Sequence, residues 1–475
     1  MKQCVVNPIL PSWEYIPDVE PRVFNGRLYL YGSHDRFGST EFCANDYALW
    51  SAPVDDLSDW SYHGIVYSPK TDPANQDGSQ TGFAPDCVQG PDGRYYLYYC
   101  LSRSSQVSVA VAHQPEGPFT YYGAVHRPDG TVFGHDKTVF CFDPGVLLDD
   151  GNIWLYVGFG LGGPMRQFVL QQGIQCDGSY CVQLEEDMLT LRSEPKLVIP
   201  AQAVAEGTGF EGHAFYEASS PRKIGGRYYL VYSSQLSHEL CYATADHPAG
   251  PYEYGGTLVS IGDLGYHGND TALNYLENTH GGLVELGGRW AIFYHRQTNG
   301  CRYARQCCAE WLTLTPEGQF LQVEVTSQGL NPEPLPGKGT YEARIACNLS
   351  SAQGTIFYPK EGAIDPIHPY FTQDGPEDGQ GKAYIANLQN GSWAGFKYFA
   401  PAQSTRLTLE LKGDGAGVFR VGTTVGKGDV ATIPVEPSGD WKQVCATMTP
   451  WSGVQALYFQ FEGTGAVDFA QFSLE

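Results

Sequence analysis

Three carboxylates stand in matching places along this chain. Asp18 lies in Tyr15-Ile16-Pro17-Asp18-Val19-Glu20-Pro21-Arg22-Val23-Phe24, Asp143 in Phe142-Asp143-Pro144-Gly145-Val146, and Glu217 in Phe215-Tyr216-Glu217-Ala218-Ser219-Ser220. Each sits among apolar or aromatic neighbours, where a lone carboxylate is costly unless it is paired or has a task. One carboxyl kept protonated can donate to a leaving oxygen, and another kept ionised can activate water or attack carbon. A third can hold the acid's pKa up and orient it. These roles suit cleavage of a glycosidic bond. The plainer alternative is that the three cap turns or accept backbone bonds at strand starts. Their matched placement favours the chemistry.

The placement is read against a phrase repeated five times. Gly26-Arg27-Leu28-Tyr29-Leu30-Tyr31 is echoed by Gly93-Arg94-Tyr95-Tyr96-Leu97-Tyr98 and Gly151-Asn152-Ile153-Trp154-Leu155-Tyr156. It returns as Gly226-Arg227-Tyr228-Tyr229-Leu230-Val231-Tyr232 and Gly288-Arg289-Trp290-Ala291-Ile292-Phe293-Tyr294. Each copy reads as a tight turn feeding a buried strand, since glycine supplies positive φ and aromatics favour strands. The copies start 67, 58, 75 and 62 residues apart, enough for a four-stranded sheet with long loops. The expectation is an all-β fold with a five-bladed β-propeller. Asp18, Asp143 and Glu217 precede copies one, three and four by eight or nine residues, which predicts equivalent places near the axis. Asp86 and His280 precede copies two and five at similar distances.

Composition agrees with an all-β chain. The 475 residues include 57 Gly and 31 Pro, with 13% aromatics. That length predicts two domains. The formal net charge of -23 argues against nucleic acid and anionic membranes as partners. A neutral oligosaccharide is compatible with it. No apolar segment reads as a signal peptide or a membrane span. The 13 cysteines are scattered and odd in number, which reads as buried thiols in a cytoplasmic protein. Cys301, Cys307 and Cys308 lack the paired spacing of a zinc site. The propeller is expected over residues 1–328, a Pro/Gly linker over 329–340, and a β-sandwich of jelly-roll type over 341–475. Strand-like runs around Glu310 and Val323 are expected to close the ring against the N-terminal strand.

The region before residue 328 resembles glycoside hydrolase family 43. The resemblance is carried by Asn7-Pro8-Ile9-Leu10 with Asp18, Phe83-Ala84-Pro85-Asp86, Phe142-Asp143-Pro144 and Tyr216-Glu217-Ala218-Ser219-Ser220. Asn278-Thr279-His280-Gly281 and Phe293-Tyr294-His295-Arg296 complete it. It implies an inverting exo-acting glycosidase on plant-type oligosaccharides such as those of xylan. The activities implied are α-L-arabinofuranosidase and β-xylosidase, with another exo-specificity such as β-galactosidase as the alternative. It implies Asp18 as general base, Asp143 as pKa modulator and orienter, and Glu217 as general acid. Inversion predicts base and acid roughly 6.5–9.5 Å apart. Asp18 is followed by Val19 where the family usually has proline. Glu20, two residues on, would share its face in an extended segment and is the competing base.

The resemblance also implies that His280 stands near the axis, either beside a calcium ion or as a hydrogen-bonded histidine without metal. No cofactor is required for the chemistry. Further wall candidates are Asp35, Asp86, Trp50 and Arg296; Trp50 and Trp60 could stack on a sugar ring, but core packing is the favoured role for each. The C-terminal segment resembles carbohydrate-binding module family 6, on Trp441 and the run Gly453-Val454-Gln455-Ala456-Leu457-Tyr458-Phe459-Gln460-Phe461-Glu462-Gly463. Trp393 and Tyr398 are its candidate sugar contacts. The other reading is that this domain only packs on the propeller. Two rival functions are a retaining β-fructosidase-type propeller and a non-catalytic sugar-binding lectin. The first expects an Arg before Asp143 and a Cys after Glu217, where this chain has Phe142 and Ala218.

Overall fold

The computed structural model describes residues 5–358, 365–375 and 381–475. Each of the five repeated phrases forms the second strand of an antiparallel sheet. The first sheet runs Glu20–Phe24, Arg27–Tyr31, Tyr47–Pro53 and Ser61–Tyr67. The second runs Gly82–Gln89, Tyr95–Leu101, Val107–Ala112 and Thr120–Ala124. The third comprises Gly145–Asp149, Asn152–Gly158, Gly178–Leu184 and Lys196–Pro200. The fourth comprises Phe215–Ile224, Arg227–Ser234, Glu239–Ala245 and Glu253–Ser260. The fifth is built from Leu283–Leu286, Arg289–Gln297 and Arg305–Leu312. The first strands of neighbouring sheets pack beside one another. The result is a five-bladed β-propeller with each blade's first strand lining the axis.

The phrase works because its aromatics are buried between blades. Tyr98, Tyr156, Tyr232 and Tyr294 are fully covered. Their hydroxyls reach partners, as buried tyrosines must: Tyr98 donates to the Met188 carbonyl at 2.7 Å and Tyr156 to that of Pro248 at 2.7 Å. The ring closes through the N-terminal segment. Ile9 donates its amide to the Cys307 carbonyl at 3.0 Å, and Ala309 donates to Asn7 Oδ1 at 2.9 Å. The run around Val323 instead lies beside the fourth blade, where Val323 donates to the Leu258 carbonyl at 2.8 Å.

The C-terminal part is a sandwich of two antiparallel sheets. One carries Tyr370–Gln373, Ala383–Leu388, Val467–Leu474, Arg406–Gly413 and Ser438–Thr447, with Gly339–Glu342 added on Val467–Leu474. The other carries Asn348–Ser350, Trp393–Phe399, Gln455–Thr464, Ala416–Gly422 and Ala431–Val435. Alternation turns Phe396, Phe419, Phe459, Phe461, Phe469 and Phe472 into one core. The sandwich is bonded to the propeller by polar groups, the buried Lys397 among them. Lys397 Nζ lies 2.7 Å from Glu324 Oε1, and the Tyr398 hydroxyl donates to Glu324 Oε2 at 2.6 Å. Tyr398 is therefore an interface residue rather than a free sugar contact. Trp393 packs edge-on against Tyr458, 5.8 Å between ring centres.

Candidate active site

The blade entries share a backbone feature that re-aims their side chains. Asp18, Ala84, Asp143 and Ala218 have φ of 55°, 36°, 42° and 74°. Left-handed conformations are rare for non-glycine residues, and aspartate tolerates them better than alanine. In the second and fourth blades the residue lies at a break in strand register, between Phe83 and Asp86 and between Glu217 and Ser220. Such bulges are a common means of redirecting a side chain at a site. Close approach of the inner strands completes the arrangement. At Gly145 an added Cβ would meet the Ser219 carbonyl oxygen at 2.0 Å. Only glycine lets the Asp143 turn lie against the strand that bears Glu217.

These turns bring Asp18, Asp143, Glu217 and His280 to one cavity of about 890 Å³. Asp18, Asp143 and His280 are buried, and Glu217 is half-buried. His280 Nδ1 lies 3.9 Å from Asp18 Oδ1 and 3.6 Å from Asp143 Oδ2, so the imidazole stands between the two carboxyls. Arg305 Nη1 donates to Asp18 Oδ1 at 2.9 Å. His295 is buried beside them. Its Nε2 lies 2.9 Å from the Asn278 carbonyl oxygen, which only accepts, so Nε2 carries the proton. Its Nδ1 then accepts the Asp18 amide at 3.2 Å, which fixes the turn that bears the carboxylate.

Charge separates the carboxyls. Burial alone would raise Asp18, but the Arg305 guanidinium, joined by His295 and His280, outweighs it, and together they hold the group well below the usual carboxylate range. Burial pushes Glu217 up to about 8, and the Asp18 charge adds to this. Burial raises Asp143 strongly, with the charges of Glu217 and Asp18 acting in the same direction. Burial lowers His280 to about 4, so it is neutral. The cavity thus holds an ionised carboxylate facing carboxyls that retain protons at neutral pH. That is the division an acid–base hydrolysis needs.

Four wall candidates lie elsewhere, each for a physical reason. Asp35 is fully buried behind Arg305, which donates to it from Nε at 2.8 Å and Nη2 at 2.9 Å. Asp86 is fully buried at the axis, where Arg22 holds it from Nε at 2.8 Å and Nη2 at 2.6 Å and the Val146 amide donates at 2.7 Å. Trp50 packs against Trp13 and Tyr62 and donates to Glu14 Oε2 at 2.7 Å. Arg296 points into the domain interface, donating to the Ala346 carbonyl at 2.6 Å and the Arg344 carbonyl at 2.8 Å. Glu20 does not share Asp18's face, because the left-handed turn at Asp18 breaks the extended path. It accepts Arg222 Nη2 at 2.9 Å and the Ser220 hydroxyl at 3.0 Å.

The sequence reading missed Arg305 and Arg302. Arg305 opens the strand paired with Arg289–Gln297, and Arg296 lies opposite Gln306 in that pairing. Choosing Arg296 therefore picked the wrong arginine on a two-stranded ribbon. The aromatic wall was also missed. Phe142 and Phe159 stack at 4.6 Å with 16° between planes, Tyr216 meets Phe159 edge-on at 5.1 Å, and Phe83 meets Phe142 at 5.9 Å. Phe42 lies under the Arg305 guanidinium at 4.7 Å. Met165 and Phe168, on the helix Gly163–Gln171, reach the same cavity with more than half their surface exposed.

Comparison with known proteins bears on this geometry. The family described as "Glycosyl hydrolases family 43" matches residues 6–320. A "Xylosidase/arabinosidase" of Thermoclostridium stercorarium is 44% identical over 479 residues, covering 100% of this chain and 99% of the relative. A "Xylosidase/arabinosidase" of Bacteroides ovatus is 32% identical, over 66% of this chain and 95% of the relative. The solved structure of a GH43_1 enzyme from Xanthomonas citri complexed with xylotriose superposes with a TM-score of 0.54 at 26% identity, over 70% of this chain and 96% of that one. An arabinoxylan arabinofuranohydrolase from Bacillus subtilis, at 19% identity and a TM-score of 0.53, covers 99% of both chains and shares the fold through the sandwich.

Proposed function

The chain belongs to glycosyl hydrolase family 43 and is a glycosidase; from that premise we propose how its cavity cleaves and what it takes. Glu217 protonates the glycosidic oxygen. Asp18 removes a proton from water on the opposite face of the sugar, and that water attacks the anomeric carbon in a single displacement with inversion. Asp143 orients Glu217, and His280 and His295 hold the two aspartates in place. The observation that carries these roles is the Asp18–Arg305 ion pair. It supplies a buried base that stays ionised in the same cavity as an acid raised to about 8.

The substrate we propose is a short xylan-type oligosaccharide, cleaved from its end as a β-xyloside, an α-L-arabinofuranoside or both. The full-length relative's name supports this. So does the cavity, whose stacked Phe142 and Phe159 suit the apolar face of a sugar ring. The test is turnover of 4-nitrophenyl β-D-xylopyranoside and 4-nitrophenyl α-L-arabinofuranoside, with ¹H NMR of the first anomer released. Net retention would overturn the single displacement and favour the β-fructosidase-type alternative. Turnover of the galactoside alone would replace the substrate.

Family 43 enzymes need no cofactor. A calcium ion beside His280, one of the two readings of that residue, fits these residues poorly. Calcium takes six to eight oxygen ligands, whereas the carboxylates within 4 Å of His280 are those of Asp18 and Asp143, the first already held by Arg305. The nearby axial carboxylates of Glu20 and Asp86 are paired with Arg222 and Arg22. No catalytic role above passes through a metal. We further propose a cytoplasmic enzyme, on the strength of the twelve cysteines among the described residues, all free and ten of them buried. Among the described residues no helix is long and apolar enough to cross a membrane.

A further inference from the structure

Two cavity segments lean on the C-terminal sandwich rather than on the propeller alone. The first bears Glu277, Asn278 and His280. Just before them, Leu276 donates its amide to the Ile356 carbonyl at 3.1 Å and accepts the Tyr358 amide at 2.9 Å. Tyr275 is buried within the sandwich core beside Tyr358, 5.5 Å between ring centres. The second is the hairpin turn 298–304, which bears Arg302 and leads into Arg305. The strand Tyr370–Gln373 of the sandwich lies across it. The Thr372 hydroxyl donates to Asn299 Oδ1 at 2.9 Å. The Tyr370 ring rests on Gly300, where an added Cβ would come within 2.8 Å of it. Arg296, on the strand entering the turn, lies 4.8 Å from the Phe371 ring centre. At the cavity the two segments meet through the Arg302–Glu277 ion pair.

We propose that the C-terminal sandwich is a positioning part of the catalytic site: through residues 356–358 and Tyr370–Gln373 it fixes the two propeller segments that bring Glu277, Arg302 and Arg305 to the cavity. The inference rests on the glycosidase reading above and goes beyond it, because it assigns work to a domain that touches none of the three carboxylates. A surface turn of seven residues takes its position from what packs against it, and here the Thr372 hydroxyl and the Tyr370 ring hold Asn299 and Gly300. Small displacements of the guanidinium it bears weigh heavily on turnover. Thr372 and Tyr370 are accordingly positioning residues, acting through Asn299 and Gly300.

The test uses the full chain with Thr372→Val and Thr372→Ser. Valine keeps the shape and loses the hydroxyl, whereas serine keeps the hydroxyl and loses the methyl. Turnover of 4-nitrophenyl β-D-xylopyranoside and the arabinofuranoside is measured beside amide hydrogen exchange of residues 273–280 and 298–304. The valine variant is expected to lose about three- to tenfold in kcat/KM, with faster exchange in both segments and a melting point close to that of the parent. The serine variant is expected to match the parent. Loss in serine with none in valine would mean packing alone and would overturn the inference. So would a folded valine variant with parental turnover and exchange. If the parent turns over neither glycoside, the substrate reading fails, and the exchange comparison still decides the positioning role.

Discussion

Arg305 holds Asp18 from one side of its guanidinium and Asp35 from the other, at 2.9 Å from Nη1 to Asp18 and 2.8 Å from Nε to Asp35. One planar fork thus serves two buried carboxylates that stand far apart from it in sequence. Lysine has the charge without the fork. Arg305→Lys is expected to lower kcat/KM about ten- to a hundredfold and to move the acid limb of the pH profile upward. The sign follows from Asp18. Its pKa is depressed in the folded protein, so a weaker cation lets it rise toward the ordinary 3.8 and beyond. The same depression gives stability present above pH 3.8 and lost as pH falls through the folded value. The melting point of the lysine variant should therefore sag most at neutral pH and converge with the parent in acid. An unchanged acid limb in a folded variant would remove Asp18 as the base.

Glu217 and Asp18 are told apart by the leaving group. Glu217→Gln removes the proton donor, which is worth about 10²- to 10⁴-fold for a poor leaving group. A 2,4-dinitrophenyl xyloside needs little protonation, so this variant should retain most of its turnover there. Asp18→Asn should fail on both substrates, since water still needs a base. Comparable losses for the two variants on the activated glycoside would show that the roles are misassigned. In the parent, kcat/KM should fall as pH rises through about 8, where Glu217 loses its proton.

The raised carboxyls cost stability where they are forced to ionise. Asp143 and Glu217 keep protons in the folded state that the unfolded chain releases near pH 4. The folded state therefore binds more protons, and stability declines as pH rises from the unfolded pKa toward about 8. Asp143→Asn is expected to melt higher than the parent at pH 8 and level with it at pH 4, while losing turnover. Site residues that destabilise their own fold are a known trade for activity. A difference of equal size at both pH values would point to packing rather than proton linkage.

Much of the architecture was legible because the glycine–aromatic phrase is a local signal with a physical cause, a turn followed by a buried strand. The phrase also worked as a ruler, with a resolution of about one residue. In the first and third blades it led to Asp18 and Asp143, which occupy left-handed turns at 55° and 42°. In the second blade the left-handed position is Ala84, and Asp86 two residues later points to Arg22 at the axis. The offset alone could not separate the two, because a bulge changes which side a residue faces. Arg305 was illegible for another reason. Its importance comes from contacts with Asp18 and Asp35, more than 260 residues away in the chain, and nothing in its own neighbourhood announces them. The aromatic wall suffered the same way, since Phe142 lies just before the strand Gly145–Asp149 and Phe159 just after Asn152–Gly158, and they meet only in the folded blade.

That wall yields the last prediction. Phe159 stacks on Phe142 and meets Tyr216 edge-on, so it links the turn of Asp143 to the strand of Glu217 along the cavity surface. Both phenylalanines are half-buried and face the cavity, which leaves an apolar plane in the cavity that Asp143 and Glu217 also line. A sugar ring laid on such a plane is held about equally in the ground and transition states. Phe159→Ala is therefore expected to raise KM for xylobiose about five- to twentyfold, with kcat reduced less than threefold, as uniform binding requires. Phe159→Tyr keeps the plane and should restore KM. The KM-to-kcat split decides the matter. A fall in kcat with KM unchanged would mean that Phe159 holds Asp143 and Glu217 in place and does not bind sugar.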